Sequence, residues 1–326
     1  TFTGNLHPAI GVAGVWRSDA IWTKVNGDGL TPMPYLVHGD TQFGNMTNSV
    51  HDDNLTLTIP ESSIIKFNVN KYDLVNYTSR LTVAGILNLE SSAGHEIVFT
   101  SYFDSQYGGS TSSEPFAPAV QDWGDIIIRH PDSEIHDIRV RYGDKGLHLQ
   151  SNESAVIDGL DQGIVHSTFE YNEYGVYLDI QNNANITPLI ENDVFTGNSY
   201  GIGTFAKNTL GSTTKATGMS LPVIRLTTIS QSTQFPIYLN GSATLKYLEA
   251  TTTFQQNVHR GIGLGGYFGG IKEQMVFPRI TGDLNSPFNG KIFPYVVLAN
   301  TNFEWNTSAK VDGGLVYKFV DNAELK

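Results

Sequence analysis

The chain has 326 residues, with 33 Gly, 13 Pro and 16% charged residues, a composition of short extended segments and turns rather than of surface helices. A formal charge of −12, with no local basic patch, argues against nucleic acid or an anionic membrane surface as partner. The lack of Cys excludes a disulfide framework and thiolate metal sites, and no apolar run approaches the ~20 residues that span a bilayer.

Thr1 opens without a basic or apolar leader, so the chain reads as a mature secreted product or a piece of a longer one. From residue 55 onward, "LTLTIPESSIIKF", "RLTVAGILNLE" and "HEIVFTSY" alternate as half-buried strands should. "DWGDIIIRH" adds an apolar strand after a corner, and "EIHDIRVRYGDKGLHL" leads into a clear repeat. In "STFEYNEYGVYL" the order is Phe169, Asn172, Tyr174, Gly175, Val176; in "DVFTGNSYGIGT" it is Phe195, Asn198, Tyr200, Gly201, Ile202 at the same spacing. Upstream of each stand Ile164 and Ser167, or Ile190 and Asp193, and a third copy reads Ile224, Thr227, Ile229. Two inward strands separated by a bend produce that change of parity.

A unit of about 25 residues holding only short strands cannot bury its own apolar face, so units must stack. The expected fold is all-β: a right-handed parallel β-helix, a single-stranded solenoid with long decorating loops. Phe169, Phe195, Ile229 and Phe254 form one interior column, and Val176, Ile202, Ile237 and Ile262 another. Gly175 and Gly201 suit a corner where φ > 0 or close backbone approach excludes Cβ. Asn172, Asn198 and Asn257 stack at the preceding turn and satisfy its backbone groups.

A longer period is also present. "TFTGNLHPAIGV" matches "TFQQNVHRGIGL", pairing Phe2 with Phe254, Asn5 with Asn257, His7 with His259 and Gly11 with Gly263 at an offset of 252. "MPYLV" then matches "FPYVV", and Lys66 matches Lys318. Residues 1–326 are therefore expected to form one β-helix domain, a repeat unit of 252 residues plus the start of the next, as in a tandem array.

These segments resemble a broad group of bacterial surface β-helix proteins whose units read roughly "L-T-V-x-G-x-L", "I-V-F-T-S", a glycine-containing loop and "D-W-G-x-I". Here they are Leu81 to Leu87, Ile97 to Ser101, Gly108 with Gly109, and Asp122 to Ile126. In that group an acidic loop implies calcium; this copy, "FDSQYGGSTSSEP", keeps Asp104 and loses most other acids. The tāpirins, cellulose-binding surface proteins of plant-degrading thermophilic bacteria, are similar. That resemblance implies a β-helix core partly covered by a long loop, and binding without catalysis.

A lyase on this fold needs an Arg or Lys base beside calcium-holding carboxylates. Arg129, His130, Asp144 and Lys145 are the nearest assembly and read as solvated corner residues. A hydrolase needs two carboxyls about 5 to 9.5 Å apart. Asp52 with Asp53, and Asp158, Asp161 and Asp179, are equally explained by turns, and Asp193 sits in an inward column with Ser167 and Thr227. No catalytic residue, metal site or cofactor is assigned.

The binding face rests on aromatics. Tyr177 lies between Val176 and Leu178, and Tyr238 between Ile237 and Leu239, so both rings are expected outward, with Gly203 and Gly263 at the same position of other coils. Strands stack about 4.8 Å apart, which sets the two Tyr about 10 Å apart on a glycine-flattened surface suited to alternate sugar rings. Tyr267 and Phe268 in "GGYFGG" extend it, and insertions at 12–33, 205–220 and 265–292 are candidate covers. The function expected is an extracellular or cell-surface, non-enzymatic adhesin that binds an insoluble polysaccharide, cellulose first. The alternatives are a polysaccharide lyase or hydrolase, or a structural stalk.

Overall fold

In the computed structural model, which describes residues 8–27, 32–45, 54–69, 79–113, 115–151, 163–181, 186–207, 222–241, 245, 247–249, 251–268, 275–277, 280–281, 292–298, 301–303 and 317–319, the alternating segments pair in parallel with strands one coil away. The result is an all-β parallel solenoid with three faces. The first sheet runs from Ile10–Val12 through Tyr35–Val37, Ile64–Phe67, Ile97–Ser101 and Ile138–Arg141 to Thr253–Gln255. The second begins at Val15–Trp16 and Asp40–Phe43, continues through Arg80–Val83, Trp123–Ile128, Gly143–Ser151, Tyr174–Gln181, Tyr200–Lys207, Ile237–Asn240 and Ile262–Gly265, and ends at Tyr295–Val297. The third face comprises Ala20–Ile21, Thr56–Pro60 and Ile86–Glu90, then a run from Ile135–His136 to Tyr247–Leu248. Among the described strands, Ile280–Thr281 with Ile292–Phe293 is the one antiparallel pair.

Both expected columns are present in register. Phe169 pairs with Phe195, Phe195 with Ile229 and Ile229 with Phe254, and all four are buried. The Phe169 and Phe195 rings stack at 4.9 Å. Val176, Ile202, Ile237 and Ile262 align likewise and are fully buried.

The change of parity comes from single residues in the left-handed region. Asp137, His166, Asn192 and Leu226 turn one corner at φ 47°, 51°, 57° and 51°, and Tyr142, Tyr171, Gly197, Gln231 and Gln256 turn the next at φ between 53° and 67°. Their amides bond to the neighbouring coil, His166 N to Glu191 O at 3.1 Å and Gln231 N to Gln255 O at 2.9 Å, which holds non-glycine residues in a conformation that costs each about 1 kcal/mol. Gly175 and Gly201 serve close approach instead. A Cβ on Gly201 would lie 2.5 Å from Pro236 O, and one on Gly175 2.7 Å from Gly201 O.

The Asn ladder forms beside the second corner. Asn198 Oδ1 accepts from Asn172 N at 2.9 Å, and its amide donates to Phe169 O at 2.8 Å. Asn257 Oδ1 accepts from Ser232 N, and Ser232, at the position between Asn198 and Asn257, contributes its backbone but no side-chain bond among the described residues. The described residues of 12–33 belong to the solenoid rather than to a cover over it. They supply strands Val15–Trp16 and Ala20–Ile21 to the second and third faces of the first coil. Residues 208–221 lie outside the described residues, and residues 265–292 include the strands Tyr267–Phe268 and Met275–Phe277.

Candidate functional site

A β-bulge aims the site. Asp125 pairs with Lys145 but Ile126 pairs with Leu147, leaving Gly146 as the extra residue. Simple alternation puts Lys145 and His148, three positions apart, on opposite faces. The bulge turns both outward. Only glycine fits there, since a Cβ on Gly146 would meet Gly175 O at 2.8 Å. The same offset recurs in the next coil, where Lys145 pairs with Tyr174 and His148 with Tyr177.

These outward side chains line a cleft of about 550 Å³ on the second sheet. At its centre His148 Nδ1 lies 2.7 Å from Asp125 Oδ2, and Nε2 lies 3.5 Å from Asp179 Oδ2. Burial alone would lower the imidazole pKa, but the hydrogen bonds and charges of Asp125 and Asp179 outweigh it and raise the value above the ordinary one. Asp125 is the complement: burial pushes its pKa up, and the bond to His148 with the nearby cations brings it below the usual carboxylate value. Lys145 Nζ binds Asp144 at 2.7 Å and stands 5.3 Å from the centroid of the Tyr177 ring. Arg129 donates to Gln150 Oε1, and Gln150 Nε2 donates to Asp179 at 2.9 Å. Arg80 and Asp40 pair at the mouth at 3.0 Å. With His148 protonated the lining carries four acids (Asp40, Asp125, Asp144, Asp179) and four cations (Arg80, Arg129, Lys145, His148), a local balance on a chain of charge −12.

Tyr177 also lines the cleft, with Phe205, and begins an aromatic row. Its ring meets Tyr174 edge-on at 4.9 Å, Tyr174 stacks on Tyr200 at 4.7 Å, and Tyr200 lies 5.2 Å from Tyr238. Tyr177, Gly203, Tyr238 and Gly263 are in one register, as the spacing predicts. The rings do not stand free, however. Tyr174 lies over Gly203, where a Cβ would be 2.4 Å from it, and Tyr238 lies over Gly263 and Gly265. The glycines receive rings rather than flatten a platform, and Tyr177 and Tyr238 are half-buried. Tyr267 and Phe268 form a short strand against Asn302–Phe303; their side chains lie outside the described residues.

Arg129, Asp144 and Lys145 are cleft residues, not solvated corner residues. His130 is buried in the adjacent turn, its Nδ1 accepting from Asp132 N at 3.2 Å. Asp179 is brought to the cleft, while Asp52, Asp53, Asp158 and Asp161 lie outside the described residues. Asp193 is inward and structural: Oδ1 accepts from Ser167 N at 2.7 Å, and burial raises its pKa well above the ordinary carboxylate value. Sequence reading singled out Asp179 but did not bring Asp125 and His148 to it.

The loop around Asp104 does not fit calcium. The Lys66 ammonium occupies its centre, donating to Asp104 O at 2.8 Å, Gly109 O at 2.6 Å and Thr111 Oγ1 at 3.2 Å. Asp104 Oδ2 is taken by Thr100 Oγ1 at 2.7 Å and the Arg141 guanidinium at 2.9 Å. A buried cation of the protein's own already answers this carboxylate. No protein-family model, curated protein or solved structure matches the chain.

Proposed function

We propose that the chain is an extracellular, right-handed β-solenoid module of a surface protein that binds an extended polysaccharide along the outward face of its second sheet, without cleaving it. The handedness follows the strong preference of parallel crossover connections. One observation carries the function: a cleft in which balanced donors and acceptors stand beside Tyr177 and Phe205, continuous with the row Tyr174, Tyr200, Tyr238. Sugar hydroxyls both donate and accept, and sugar C–H faces pack on aromatic rings, so a neutral polyhydroxylated chain matches both halves of this surface. Between the coils of Asp40 and Tyr238 lie six strand steps of the second sheet, a length of about 29 Å. That is a groove for a chain of several sugar rings.

A second reading, a glycoside hydrolase, is favoured by the imidazole held between Asp125 and Asp179. The binding reading is preferred because both carboxylates are already engaged by neighbouring side chains, Asp125 by His148 at 2.7 Å and Asp179 by Gln150 at 2.9 Å. The deciding experiment mixes the purified chain with insoluble polysaccharides, cellulose first, then measures protein in the pellet and reducing or unsaturated ends in the supernatant. Retention without released ends is expected, with Tyr177→Ala and Lys145→Ala each weakening retention about tenfold. Released ends that vanish in Asp179→Asn would establish the hydrolase instead. Retention unchanged in both substitutions would remove the cleft as the site.

A further inference from the structure

The floor of the cleft is a column of outward residues, one from each coil. Gln42 pairs with Thr82, Thr82 with Ile127, Ile127 with His148 and His148 with Tyr177. Neighbouring strands lie about 4.8 Å apart, so Ile127 stands two steps, about 10 Å, from Tyr177 along the axis. Thr82 and Ile127 line the cleft, yet each keeps only 6% of its surface exposed. Such a floor accepts a methyl group but not the face of a sugar ring. The half-buried rings of Tyr177 and Phe205, farther along the cleft, are the surfaces for a ring.

The polar groups around this floor hold bonding capacity that the protein does not use. Asp125, Ile127 and Arg129 follow one another at two-residue intervals and all line the cleft, as alternation along one strand requires. Asp125 gives Oδ2 to His148 at 2.7 Å, and its Oδ1 makes no hydrogen bond among the described residues. Arg129 directs Nη2 to Gln150, and its Nη1 likewise makes none. The Thr82 hydroxyl has no partner among the described residues, and the buried His148 Nε2, 3.5 Å from Asp179, completes no hydrogen bond. The strand therefore presents an acceptor, an apolar surface and a donor in that order. Sugar hydroxyls alone leave the apolar middle unmatched, and a carboxylate would face Asp125 and Asp179 as well as the cations. A secondary amide that carries a methyl group matches all three positions. Its planar trans geometry points N–H and C=O in opposite directions, toward Asp125 Oδ1 on one flank and Arg129 Nη1 on the other.

We infer that the floor at Ile127 is a subsite for the acetamido group of an N-acetylated amino sugar, so that the polymer this face prefers is a neutral one of linked N-acetylhexosamine units. The inference rests on the polysaccharide reading above and narrows its ligand. One ring of the chain packs on Tyr177, and a neighbouring ring carries its acetamido group down to Ile127. The methyl covers Ile127, the N–H donates to Asp125 Oδ1, and the carbonyl accepts from Arg129 Nη1. Being uncharged, the group leaves the balance of four acids and four cations around the cleft undisturbed.

The test compares two soluble β-1,4-linked oligosaccharides of equal length by titration calorimetry on the full chain, one of N-acetylglucosamine and one of glucose. The acetylated chain is expected to bind about tenfold more tightly, from one buried methyl and one added hydrogen bond. Ile127→Asn should reduce that ratio to less than about twofold. Saturation-transfer NMR on the unsubstituted protein provides a second reading that needs no variant: the acetyl methyl protons should receive more saturation than the ring protons of the same ligand. Equal affinity for the two oligosaccharides, or a preference that survives intact in a folded Ile127→Asn, overturns the inference and leaves the polysaccharide reading standing. So does tighter binding of an oligogalacturonate of the same length, which would assign the free donors to a carboxylate. Binding of none of the three removes the polysaccharide reading, and the subsite with it.

Discussion

Lys66 shows how one residue can replace a metal. Its ammonium gathers a backbone loop by three short bonds, yet burial outweighs the attraction of Asp104 and lowers its pKa to about 8. A base with a folded pKa below its unfolded one binds fewer protons folded than unfolded in between, so stability rises with pH from about 8 toward 10.5. Between pH 8 and 9, where an unfolded tyrosine of pKa about 10 is still about nine-tenths protonated, the gain expected from Lys66 is about 1 kcal/mol, and Lys66→Met should reduce it in urea titrations at the two pH values. His148 shifts the other way. With its pKa raised, its ion pairs are fully formed below the unfolded value of about 6.5 and are lost as pH rises through the folded one. Its ring proton resonances should therefore titrate above 6.5, and Asp125→Asn should bring the midpoint down; a wild-type midpoint below 6.5 would contradict the geometry. Neither role was legible in the sequence. Lys66 reads as one more alternating strand position, and Asp125 meets His148 only because Gly146 is skipped in the pairing.

At the scale of the element, the inward columns were legible because apolar residues recur at fixed offsets, and a stacked coil admits no other use of Phe169, Phe195, Ile229 and Phe254. The corners were not. Sequence reading looks to glycine for positive φ, whereas Tyr171 and Gln231 hold it here through bonds to the next coil that a single coil's residues do not announce. The Asn ladder lies between these cases: the residue type reveals the rung, and the structure supplies its partners. Removing one rung strands both. Asn198→Ala leaves Asn172 N and Phe169 O without the side-chain partners they now have, and two buried orphaned groups cost about 3 kcal/mol together. Asn198→Ser should cost about as much, because Ser232, at the equivalent position one coil on, makes no side-chain hydrogen bond among the described residues. Equilibrium denaturation of the two variants measures this, and a clearly smaller loss for Asn198→Ser would show that a hydroxyl can take over part of the rung.

At the scale of the whole molecule, the charge distribution decides what kind of polymer the second sheet can hold. The chain carries −12 overall, while the cleft brings four cations against four acids. A neutral glucan approaching that face meets no net field and gains from ring packing and hydrogen bonds, which salt screens little. A uronate polymer meets a repulsive molecule and a cleft whose cations are already engaged, Lys145 with Asp144, Arg80 with Asp40 and His148 with Asp125. Retention on cellulose should therefore change by less than about twofold between 0.05 and 0.5 M NaCl, and polygalacturonate should not compete at either salt. Raising the pH through the His148 midpoint removes one positive charge and leaves Asp125 and Asp179 facing a neutral ring, so the cleft becomes net negative and its packing loosens. Binding of the neutral polymer should weaken over that same interval, and Asp125→Asn should move the interval down together with the imidazole titration. Sedimentation assays at the two salt concentrations and across pH 6 to 9 measure both effects. A tenfold loss with salt would mean that the cations, not the rings, carry the interaction, and would turn the search toward an anionic polysaccharide.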